Sequence, residues 1–113
     1  MDEFNFSDNA GAHRFELTQG NQLAAVAEYK LDGGVITFTH TEVKPQFQAT
    51  KGLGSKIAAQ ALQDVRGRGL KVVPMCEFIA RYIVKHAEYG DLLTDEGRLR
   101  VEAAAKTSPS PAP

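Results

Sequence analysis

The stretch VITFTHTEVKPQFQATKGLGSKIAAQALQDVRGRGLKVVP, residues 35–74, changes its hydrophobic period twice, and those two changes decide the fold. VITFTHTEV is rich in β-branched residues and alternates, with Ile36, Phe38, His40 and Glu42 on one side, which reads as a strand over 35–43. From Leu53 onward the period is that of a helix. Leu53, Ile57, Ala58, Ala61, Leu62 and Val65 fall on one helical stripe, giving a helix over 53–66. RGRG ends it, with Gly67 or Gly69 as the C-terminal glycine. LKVV, residues 70–73, is a short buried strand stopped by Pro74. A strand, a helix and a strand in that order make a β-α-β unit, whose strands run parallel through a right-handed crossover.

Upstream, HRFELT reads as a strand with Phe15 and Leu17 on one face, and QLAAVAEYKL as a second. Asp32-Gly33-Gly34 then supplies a hairpin turn into residue 35. Downstream, CEFIARYIVKHAEY is helical, with Ile79, Tyr82, Ile83 and His86 along one face. The expected architecture is therefore α+β, in the order β-β-β-α-β-α: an antiparallel meander plus one parallel strand added through the crossover. Residues 13–93 form the expected folded unit. Residues 1–12, small, acidic and aperiodic, read as a flexible N-terminus, and 94–113 as a flexible C-terminal tail. Within that tail DEGRLRVEAAAK holds good helix formers, weakened by Gly97.

At 113 residues the chain makes one domain, so any site is built from one core and its loops. Thirteen basic and fourteen acidic residues give a net charge of −1, which argues against a general nucleic-acid binder. One cysteine forms no internal disulfide, so nothing points to an oxidising compartment. No run of 18 apolar residues and no signal-peptide pattern is present, and a soluble, cytoplasmic protein without a membrane partner is expected. No His/Cys/Asp set has metal-ligand spacing, and no metal is expected.

A β-α-β unit places its ligand beyond the carboxyl ends of its strands. Here those ends lie near Val43 and Val73, so the loop 44–52 and the stretch 74–77 meet above one sheet edge. Cys76 and the glycine loop thus become expected neighbours. The first turn of the helix offers free N–H groups and the positive end of its dipole. Gly52 and Gly54 let an anion approach the backbone, Lys51 and Lys56 add charge, and Ser55 adds a hydroxyl. The loop is neither a Walker motif nor a dinucleotide fingerprint, and Gly-x-Gly alone is also what a plain structural turn looks like. Its place between strand and helix, with lysines beside it, favours phosphate.

EVKPQFQATKGLGSKIAAQAL resembles the GNAT acetyltransferase superfamily, in which a strand, V-x-P and an Arg/Gln-x-x-Gly-x-Gly/Ala loop bind the acetyl-CoA pyrophosphate. THTEV, KGLGSKIA and VVPMCEFIARYI resemble its compact single-domain branch, that of the mammalian N-acetyltransferase domain-containing protein and a plant mini-acetyltransferase. Ala49 stands where the family usually has Arg or Gln. The resemblance, over about residues 13–93, implies a GNAT-like fold with helices packed on the sheet. It also implies an acetyl-CoA site at Val43, Lys51, Gly52, Leu53, Gly54, Ser55 and Lys56. The activity implied is acetyl transfer to an amine, a protein or peptide amine among the options, by a monomer or a dimer.

Two routes stay open. In one, a base (His40, with Glu42 as alternative) serves direct attack by the amine; in the other, Cys76 carries the acetyl group. Cys76 reads equally as a small buried residue, and His40 as a packed strand residue. Arg81 and Lys85 read either as contacts to the adenosine 3′-phosphate of coenzyme A or as a solvated face. Phe78 and Tyr82 read as core, and His86 as structural. The rival functions are a coenzyme A- or acyl-CoA-binding module without turnover and a structural or adaptor domain.

Overall fold

Both the meander and the crossover form. In the computed structural model, which describes residues 3–107, five strands pair in chain order: β1 (Asn5–Asn9), β2 (Arg14–Gln19), β3 (Gln22–Asp32), β4 (Val35–Val43) and β5 (Lys71–Pro74). The first four are antiparallel, and β5 runs parallel to β4. The β3–β4 hairpin turns at Gly33-Gly34, with Asp32 opposite Val35. The crossover is α1 (Leu53–Gly67), capped where Gly69 takes a positive φ and Leu70 N–H donates to Val65 O at 3.1 Å. After β5 come α2 (Glu77–Lys85), a 3₁₀ segment (Ala87–Leu92) and α3 (Asp95–Thr107). No helix among the described residues is long and apolar enough to cross a membrane.

The helical stripe read from the sequence is the face that is buried: Leu53, Ile57, Ala58, Ala61, Leu62 and Val65 all line the core. They meet Ala25, Ala27 and Tyr29 of β3, Phe15 and Leu17 of β2, and Ile36 and Phe38 of β4. Ile79 and Ile83 of α2 join the same cluster, so α1 and α2 cover one face of the sheet. Each large apolar side chain withdrawn here contributes about 1.5–3 kcal/mol.

Two elements extend the folded part beyond residues 13–93, correcting the expectation of flexible ends. Strand β1 carries too few apolar residues to show a period, yet it is fixed by side chains on distant elements. Asp8 accepts a hydrogen bond from Tyr29 Oη at 2.6 Å and pairs with Arg68 at 2.9 Å, while Phe6 stacks on Phe15. Helix α3 packs on β5 and α2. Thr94 caps it, its Oγ1 accepting from Gly97 N–H at 2.9 Å, and its own N–H donates to Val72 O on the edge of β5. Residues 1–2 and 108–113 of those ends lie outside the described residues.

Gly97 is the point of closest approach. A Cβ there would run into the Val72 carbonyl oxygen, so the residue that weakens the helix locally is the one that lets it dock. Alanine is favoured over glycine by about 1 kcal/mol inside a helix. Gly97→Ala is nevertheless expected to destabilise the protein in a urea titration; a gain in stability would contradict this packing.

The Tyr29–Asp8 contact makes a second prediction. Burial, and then the Asp8 carboxylate, push the Tyr29 phenol up to about 12 from its usual 10. The folded state therefore keeps its proton where the unfolded chain has lost it, so this stabilisation is intact below pH 10 and is lost as pH rises toward 12. Tyr29→Phe should lose stability near neutrality, and the gap to wild type should narrow between pH 10 and 12. A constant gap across that window would disprove the coupling.

Candidate active site

The site begins where β5 stops. The β4–β5 ladder ends at the Phe38–Pro74 rung, and Cys76 N–H closes it by donating to Phe38 O at 2.8 Å. The chain then enters α2, with Cys76 as its N-cap. Among the described residues, β4 continues to Val43 flanked only by β3. Lys44 N–H donates to Ala24 O at 2.8 Å on that β3 side. Backbone groups alternate along a strand, so Val43 and Thr41 turn theirs to the side β5 has vacated. Gln48 Nε2 meets Val43 O there at 3.2 Å.

The loop above this open edge is held by a 3₁₀ turn (Pro45–Phe47), whose Phe47 is buried. Gly52 takes φ +82° and is the N-cap of α1, supplying no side-chain hydrogen bond to the amides that follow. The first helical bond runs from Lys56 N–H to Gly52 O at 2.9 Å. The N–H groups of Leu53, Gly54 and Ser55 lie ahead of it, at the positive end of a 15-residue helix. They border an open groove of about 640 Å³ lined also by Thr41, Val43, Gln48, Lys51 and Phe78. A second hollow of about 280 Å³ adjoins it, lined by Ser55, Phe78, Arg81, Tyr82, Lys85 and His86.

Of the residues singled out in the sequence, Val43, Lys51, Gly52, Leu53, Gly54 and Ser55 thus share the larger hollow, and Arg81 and Lys85 share the smaller. Lys56 is exposed and lines neither hollow. Arg81 pairs with Glu77 at 2.6 Å, while its Nε is shielded from solvent and has no hydrogen-bond partner. Cys76 is buried, and its Sγ donates to Thr41 Oγ1 at 3.3 Å. It thereby meets the groove through Thr41, so the glycine loop and the cysteine do converge on one place.

His40 lies elsewhere. The β3–β4 register places His40 opposite Glu28 but Phe38 opposite Tyr29, which leaves Thr39 as an extra residue in β4. This bulge shifts the alternation by one. Thr41 and Val43, opposite Ala27 and Ala25, follow Phe38 on the core face. His40 and Glu42, opposite Glu28 and Val26, turn to the other face. The expected common side of Ile36, Phe38, His40 and Glu42 is corrected accordingly. His40 Nε2 lies 3.5 Å from Glu42 Oε1, both side chains well exposed, and Lys44 Nζ lies 3.6 Å from the same carboxylate oxygen.

The reading of Phe78 as core is also corrected, whereas Tyr82 packs against the core cluster. Phe78 is 41% exposed rather than core, because the first turn of α2 faces the groove. Tyr82 is half-buried, and burial raises its phenol above the ordinary tyrosine value, with Tyr89 and Glu88 adding to the shift. His86 ends α2, donating its N–H to Ile83 O at 3.1 Å, and its ring stacks on Tyr82 at 4.1 Å. Thr41, Gln48 and Phe78 were not found as site residues from the sequence. Nothing in a local pattern marks the bulge that sends Thr41 into the groove.

A mixed sheet whose parallel pair parts over a glycine loop at a helix N-terminus is an α+β architecture of the GNAT-like kind. A model of the GCN5-related N-acetyl-transferase family matches residues 14–92, and the chain belongs to that family. Among solved structures it is similar to a small GCN5-like protein from Staphylococcus aureus determined by NMR. That match has a TM-score of 0.62 at 23% identity, over 83% of this chain and 91% of the other. It is also similar, at 26% identity and a TM-score of 0.49, to the ribosomal-protein-S18-alanine N-acetyltransferase from Escherichia coli. That match covers 54% of this chain, which spans only 39% of the E. coli enzyme. No curated protein sequence matches the chain.

Gly52 has open space around its Cβ position, so a side chain there meets only the cost of its left-handed backbone. Gly52→Ala is expected to lose about 1 kcal/mol in denaturant unfolding. No loss would mean that the loop relaxes to another conformation.

Proposed function

We propose that the chain is an acetyl-CoA-dependent N-acetyltransferase whose cofactor lies along the open edge of β4, with its pyrophosphate at the start of α1. The observation that carries this reading is the continuity of the two: the vacated strand edge leads directly to backbone amides that precede the first helical hydrogen bond. The donor set suits a pyrophosphate, since three N–H groups at a helix N-terminus and Lys51 converge on a groove that no capping side chain enters. Lys56 adds charge from outside the groove. Arg81 and Lys85, which both line the neighbouring hollow, suit the adenosine 3′-phosphate there by their charge.

Acetyl-CoA supplies an electrophilic thioester carbonyl. The protein's part is to hold it against the exposed backbone of Thr41 and Val43, and to accept a proton from the attacking amine. His40, whose Nε2 lies 3.5 Å from Glu42 Oε1, is the base we assign, which brings the amine in from the face opposite the core. Cys76 is assigned to the wall of the site. A thiol nucleophile needs a neighbouring base, and the partner of Cys76 is the hydroxyl of Thr41. Direct transfer follows as the route.

Titration calorimetry with coenzyme A, followed by acetyl transfer to a panel of amines that includes peptides and polyamines, tests the assignment. Binding without transfer to any amine would leave a coenzyme A-binding module; no binding would remove the reading altogether. Lys51→Ala should weaken coenzyme A binding by up to about tenfold, ~1.4 kcal/mol, and less at high salt. Cys76→Ala should keep most of the rate, His40→Ala should lose most of it, and wild-type protein incubated with acetyl-CoA should gain no acetyl mass at Cys76. An acetyl adduct there, with an inactive Cys76→Ala, would establish the covalent route instead.

A further inference from the structure

The two hollows share two lining residues, Ser55 and Phe78. The seat of the Phe78 ring is Gly54. A Cβ on Gly54 would lie 2.8 Å from Phe78 Cζ and 3.3 and 3.4 Å from the two Cε atoms, so the tip of the ring occupies the space a side chain would fill. Gly54 has no positive φ, and its backbone tolerates any residue. What makes glycine the fitting residue here is therefore the ring above it. Phe78 is 41% exposed, unusual for a large apolar side chain, and it stands on the first turn of α2, two residues past the N-cap Cys76. An exposed ring held by contact with a glycine is free to leave that seat by rotation about χ1, since no core packing fixes it.

We propose that Phe78 is a movable partition: seated on Gly54 it keeps the phosphate groove and the basic hollow apart, and a ligand that spans both must lift it. This rests on the coenzyme A reading and adds to it a residue that sets how such a ligand enters. With the ring seated, the larger groove is the part left to pantetheine and pyrophosphate on this proposal. The adenosine 3′-phosphate reaches Arg81 and Lys85 only past the ring. A closed partition lowers apparent affinity by the fraction of time the joined groove is open. Acyl chains on the thioester lie at the other end of the groove, near Thr41, so the partition should be indifferent to their length.

The experiment is NMR of the full chain, following the Gly54 amide and α protons, whose shifts carry the ring current of Phe78. Phe78→Ala and Phe78→Leu identify that contribution in the free protein. Coenzyme A should abolish it in wild type, while phosphopantetheine, which lacks the adenosine, should leave it in place. If the partition is open a third of the time or less, Phe78→Ala should bind coenzyme A at least about threefold more tightly by calorimetry. Gly54→Ala should unseat the ring, with the displacement read at Phe78 itself, and this shift should be absent in the Gly54→Ala, Phe78→Ala double variant. Coenzyme A bound with the Gly54 ring-current shift intact, or bound equally or more weakly by Phe78→Ala, would overturn the partition while leaving the coenzyme A reading standing. No binding by wild type or either variant would overturn both.

Discussion

Everything at the site follows from the unequal lengths of two neighbouring strands. Strand β4 has nine residues and β5 has four, and their ladder closes with Cys76 N–H on Phe38 O. Pro74 and the turn into α2 stop β5, and no other element among the described residues takes its place beside β4. A strand edge with unpaired backbone groups is normally a hazard. Here it is recessed between the loop 44–52 and the start of α2, where it lines a groove instead of a surface. The same event sets the N-cap of α2 at Cys76 and brings Phe78 over Gly54, so the groove's floor, its end and its proposed partition have one origin.

A second constraint is the single extra residue at Thr39. Without that bulge, His40 and Glu42 would share the core face with Phe38, and Thr41 would point away from Cys76. With it, Thr41 reaches Cys76 while His40 and Glu42 stand on the opposite face. The open edge of β4 lies between the two, so groups on both faces flank it. The bulge thus separates the side assigned to the cofactor from the side assigned to the amine.

The α+β order, the hairpin at Gly33-Gly34, the parallel crossover and the buried stripe of α1 were all legible, because each is a change of hydrophobic period or a turn with its own chemistry. The family was legible from the loop and from the segment around Cys76. What was not legible depends on contacts between distant residues. Strand β1 owes its place to Asp8 meeting Tyr29 and Arg68, and α3 owes its place to Gly97 meeting the backbone of β5. Phe78 is a large apolar residue next to the core stripe, and only the fold shows its first turn facing the groove. The phase shift at Thr39 has no local signature at all, so the face of His40 was misread along with that of Thr41.

The central claim is that the vacated edge of β4 and the amides opening α1 form one binding track. A crystal structure of the protein soaked with coenzyme A tests it most directly. The account predicts pantetheine density beside the backbone of Thr41 and Val43, with the pyrophosphate over the amides of Leu53, Gly54 and Ser55. Ordered coenzyme A on the opposite face of the sheet, with the β4 edge and the glycine loop untouched, would contradict it.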